Sequence, residues 1–188
     1  MKQHKVQYPV LIMAFILCIG VIGCSTNTEK IGTDTSLGYQ ISVSIPNGKD
    51  YQFSTRATMS SEYEPYDTDA ILELEDAILY FVVNDYASYA TSIAYQKEHP
   101  EIDKNNPNFC QYIDVVFPCC QRIKVNGRKA VKILDGRCYK YHIDINDPKN
   151  KLYLVVLPKD SKADPKEVIE ETEVQAIIDS IAVQKGEA

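Results

Sequence analysis

The chain has 188 residues, long enough for one domain with a substantial core, and it carries 20 Lys and Arg against 26 Asp and Glu, a formal charge of −6. Nucleic-acid binding needs clustered cations facing phosphates, so this balance excludes DNA and RNA as natural partners and disfavours electrostatic attachment to anionic lipid. Residues 1–23 contain Lys2 and Lys5 and no acid, so the rest of the chain is more acidic still.

The chain starts with a short basic segment, and an apolar run over 10–22 ends at Val21-Ile22-Gly23-Cys24. This is the layout of a secretory signal, and the run is too short for the roughly 20 residues that a membrane-spanning helix needs. The thiol sits where cleavage is expected. Val21-Ile22-Gly23-Cys24 resembles the lipobox of bacterial lipoproteins, with Val21 where that family prefers Leu. The resemblance implies that Cys24 takes a diacylglyceryl group, becomes the first mature residue and holds the protein on the outer side of the cell membrane. Residues 24–38 are rich in Ser, Thr, Asn, Asp and Gly without apolar periodicity and read as a flexible tether.

One domain is expected over 39–188. Tyr39, Ile41, Val43 and Ile45 alternate with polar residues, a strand closed by Pro46-Asn47-Gly48. Residues 50–55 read as its hairpin partner, with Tyr51 and Phe53 inward, and 56–69 as an excursion containing Tyr63 and Tyr66. The run 70–83 reads as strand in its latter part, because Tyr80-Phe81-Val82-Val83 is β-prone. A helix is predicted from Asn84 or Asp85 to about His99, on an apolar stripe that includes Tyr86, Tyr89 and Ile93. Strands are predicted over 110–117, 121–125, 128–134, 139–145 and 151–157, and Asn126-Gly127 marks a tight hairpin. Asp164-Pro165 opens a closing helix carrying Val168, Ile169, Val174, Ile177, Ile178 and Ile181, and residues 184–188 read as a solvated tail.

These elements give an α+β fold, an antiparallel β-sheet flanked by helices. The proline-ended strand Ile41-Ser-Val-Ser-Ile-Pro46, the hairpin Val125-Asn-Gly-Arg-Lys-Ala130, the tyrosine strands at Tyr139, Tyr141 and Tyr153, and the closing helix to Ile181 together resemble the PsbP-like α/β/α sandwich. That resemblance implies a domain that acts by binding partners, with no shared catalytic signature to carry over.

Few constellations could carry chemistry. Cys110, Cys119, Cys120 and Cys138 lie in an exported domain, where disulfides are permitted, and buried free thiols or a vicinal pair at Cys119-Cys120 are the alternatives. Cys138 and His142 are four apart, a metal spacing on a helix, but on a strand that is about 13 Å. Asp144-Ile-Asn146-Asp147 lacks the glycine and distal glutamate of a calcium loop and reads as a turn. No hydrolase elbow, phosphate loop or zinc-protease motif occurs, and neither metal nor cofactor is expected. With 13 Tyr and no Trp, exposed Tyr63 and Tyr66 are the expected partner surface. The functional expectation is a lipid-anchored, non-catalytic binding or accessory domain for a small ligand or an envelope protein. The alternative is a thiol-redox or metal-dependent envelope enzyme using the Cys119/Cys120 region.

Overall fold

The computed structural model of the chain describes residues 28–55, 68–85, 98, 100, 109–170 and 172–186. In chain order these form β1 (Thr28–Asp34), β2 (Tyr39–Pro46), β3 (Gln52–Thr55), β4 (Ala70–Glu73), β5 (Ala77–Asp85), α1 (Phe109–Val116), β6 (Gln121–Val125), β7 (Arg128–Asp135), β8 (Cys138–Asp144), β9 (Asn150–Pro158), α2 (Pro165–Ile169), α3 (Thr172–Asp179) and β10 (Ala182–Lys185). The strands make two antiparallel sheets, β1-β2-β10 and β3-β4-β5-β9-β8-β7-β6.

The long sheet follows from alternation. β9 is apolar on both sides: Leu152, Leu154 and Val156 point to one face, Tyr153, Val155 and Leu157 to the other. It therefore takes the centre, paired with β5 along nine positions and with β8 along six. The β6–β7 connection is Asn126-Gly127, with φ of 46° and 77°, the doubly left-handed turn that matches strand twist. The inner face of this sheet, with Leu72, Leu79, Phe81, Tyr141, Leu154 and Val156, shares one core with Tyr39, Ile41, Val43 and Ile45 of β2 and with Ile169, Ile177 and Ile178 of the closing helices. Polar stitches cross between the sheets. Asp69 accepts from the Ser36 N–H (2.9 Å) and hydroxyl (3.2 Å) on one side and from the Val83 N–H (2.7 Å) on the other. Asn126 donates to the Ile181 carbonyl (3.1 Å) and Arg128 to that of Val183 (2.8 Å).

The expected α+β sandwich with an antiparallel sheet flanked by helices, of PsbP-like α/β/α form, is not what the chain builds. The fold is predominantly β, in two sheets of three and seven antiparallel strands. Two unread strands account for much of the difference. Residues 28–34, read as tether, are β1, held to β2 by backbone pairing that polar side chains do not advertise. Gly32 is required there, since a Cβ would lie 2.5 Å from the Ile41 carbonyl. At the other end, Gln184 and Lys185 of the supposed tail pair with Gln40 and Tyr39.

Other expectations shift as well. β3 does not return on β2; it pairs with β4 in the other sheet, because the turn after Pro46 carries the chain across the core. The strand expected over 110–117 is instead α1 up to Val116, and the reason is spacing: Phe109, Tyr112, Ile113 and Val116 fall on one helical face. The run from Ala70 is two strands, with a turn at Leu74–Asp76 closed by the Leu74 N–H to the Ala77 carbonyl (2.8 Å). The closing helix is two short ones, the first capped by Asp164, whose carboxylate accepts from the Lys166 N–H (2.8 Å). Asn84 and Asp85, expected to open a helix, instead end β5 in register with Lys151 and Asn150; Cys24, Tyr63, Tyr66 and the rest of the helix expected up to His99 lie, but for Glu98, outside the described residues.

Candidate functional site

Helix α1 sits on the outer face of the long sheet, and both neighbourhoods of chemical interest lie along it. Its inward residues Phe109, Tyr112 and Ile113 pack with Val131 of β7, while Val116, Phe117 and Cys120 extend the contact beyond the helix end. One flank covers a buried polar cluster. The other opens as a groove.

The cluster centres on Lys151. In the sheet register it stands opposite Asn84 on β5 and Asp144 on β8. Asp144 does not neutralise it, because its carboxylate accepts instead from the Asn146 N–H (2.8 Å) in the following turn. The lysine, 5% exposed, donates to the Tyr112 hydroxyl (2.8 Å) and lies 4.4 Å from the centre of that ring. Burial alone pushes its pKa down to about 7. Next to it His142 packs between Phe117 (4.5 Å between ring centres) and Tyr153 (5.0 Å). Burial, then the charges of Lys151 and Lys140, holds His142 well below its ordinary pKa, so it is a neutral ring at pH 7. Its Nδ1 and the Asn84 Oδ1 have no hydrogen-bond partner among the described residues.

A neutral amine beside a phenol is chemically capable of base or nucleophilic work. Lys151 is sealed, however, and its observable role is to tie α1 to the sheet. The cost of keeping it there is about 5 kcal/mol at most, the free-energy equivalent of lowering a lysine from 10.5 to about 7.

The groove lies between α1 and β6, the edge strand of the long sheet, with a volume of about 710 Å³. Phe109, Ile113, Ile123 and Ala130 supply apolar lining, and Arg122, Lys124, Lys129 and Asp114 its charges. Arg122 pairs with Asp114 (2.9 Å), and Lys129 donates to the Cys110 sulfur (3.2 Å), a contact that raises the lysine's pKa. This volume lies within the usual range for small-molecule sites.

No disulfide joins the four cysteines. Cys110 opens α1; Cys119 is exposed and Cys120 half-buried in the turn before β6. Cys138 is fully buried under the outer face of β8, its thiol donating to the Asp135 carbonyl (3.2 Å). Among the described residues no three His, Cys, Asp or Glu side chains gather as metal ligands. His142 is a sheet residue, as its strand position implies, but its burial beside a second titratable group went unread. So did Lys151, whose one local signal is a cation opening the apolar run 152–157. The groove depends on α1, which read as a strand and so could not be placed. No family model, curated protein or solved structure matches this chain.

Proposed function

We propose that the chain is a lipid-anchored protein of the extracytoplasmic membrane face, whose domain binds a ligand without turning it over. The anchor is the thiol of Cys24, delivered by the apolar run and the Val21-Ile22-Gly23-Cys24 motif. The observation that carries the binding half is the groove beside α1, an apolar hollow edged with cations on a chain of net charge −6. The thiol-redox or metal alternative, at Cys119 and Cys120, is the weaker reading, because His142 packs its ring between Phe117 and Tyr153. Intact mass of protein extracted from membranes tests the anchor. A chain beginning at Cys24 with added diacylglyceryl mass is expected, and an unmodified cysteine overturns that half of the reading.

A further inference from the structure

We propose that the groove between α1 and β6 takes a small amphiphile with an anionic head, the head at Lys124 beside Lys129 and the alkyl chain along Phe109, Ile113 and Ile123. This rests on the binding reading above and names its ligand class. Of the charged side chains in the groove three are cations and one an anion, in a chain where acids outnumber bases. Arg122 is paired with Asp114, Lys129 stands opposite Lys124 across the β6–β7 ladder and gives one N–H to the Cys110 sulfur, and Lys124 has no partner among the described residues. Two neighbouring ammonium groups call for an anionic head, and a neutral alcohol would leave them without a counter-charge. The apolar lining favours a chain behind the head.

Cys110 lies in the same groove and reports its occupancy. The protein in its own membrane vesicles is treated with N-ethylmaleimide alone or with octanoate, octanol, octyl phosphate or octylammonium, and modification of Cys110 is followed by peptide mass. Cys119, exposed and outside the groove lining, is the internal reference. Octanoate is expected to slow Cys110 selectively, and Lys124→Gln to weaken that protection about tenfold, the loss of one charge-assisted contact. Because Lys124 is exposed the variant keeps its fold, checked by Cys138 staying unreactive. Equal protection by octanol or octylammonium, or undiminished protection in Lys124→Gln, overturns the anionic head while leaving the groove a binding site. Failure of all four probes to protect Cys110 overturns the groove itself.

Discussion

Along β9, Leu152, Leu154 and Val156 enter the common core, while on the opposite face Lys151 and Tyr153 share cover with His142 and Tyr112. One strand thus serves two interiors. The inner one is held by two sheets and two helices, and nearly every group in it gains by leaving water. The outer one keeps an amine, an imidazole and an amide under an eight-residue helix, with two polar atoms unmatched among the described residues. Burial accounts for most of the first, where the Tyr141 hydroxyl is the one side-chain polar atom left unmatched among the described residues. In the second, burial is opposed by polar groups, so the outer face is the softer of the two and α1 is where local opening should start.

The largest effect expected on this contrast comes from the inner side. Leu79→Ala, at a fully buried position, should lower unfolding free energy by about 3 kcal/mol in urea titrations. A loss under about 1 kcal/mol would remove the distinction between the faces.

Acidity probes the outer side. Lys151 has a pKa of about 7 folded and 10.5 unfolded, so between those values the unfolded chain binds more protons. Stability therefore rises with pH from about 7 toward 10, by a few kcal/mol at most. His142, also depressed, adds the same sign below 6.5. Above pH 10 the buried Tyr141, whose pKa burial pushes up, reverses the slope, since the unfolded phenol ionises first. Lys151→Met should abolish the rise between pH 7 and 10 and stabilise the protein at pH 7 by about 1–2 kcal/mol. Urea midpoints at pH 7 and 9.5 check both; an unchanged slope in the variant would assign the rise to another group.

The smallest effect sits where neither face decides. Asn126→Ala loses a residue suited to φ of 46° and a hydrogen bond to Ile181, and should cost about 1–2 kcal/mol by thermal unfolding. A neutral result would mean that Gly127 alone sets the turn.

What could be read in the chain follows the same division. The strands of the inner core announce themselves, because Tyr39, Ile41, Val43 and Ile45 alternate, and Asn126-Gly127 marks its hairpin. β1, and β10 beyond its buried Val183, leave no such trace: their part is backbone pairing to β2, and their exposed side chains look like solvated coil. Phe109 to Val116 misleads because Cys110, Tyr112, Asp114 and Val116 mimic alternation while Phe109, Tyr112, Ile113 and Val116 carry the helical contact. The buried lysine was hidden for a different reason. Its partner Tyr112 lies 39 residues away, beyond any local pattern.

The strand that begins at Thr28 also shortens the leash. If Cys24 is acylated, four peptide steps separate the lipid from the sheet, about 14 Å when fully stretched. The end of β1 nearest the bilayer is then the one paired with Pro46, and around Pro46 gather Asp50, Glu75, Asp76 and Glu173, with Lys49 bonded to Glu173. Within a Debye length of about 8 Å such a rim is repelled by anionic headgroups. Over an anionic surface the domain would stand off the membrane that holds it instead of lying down on it.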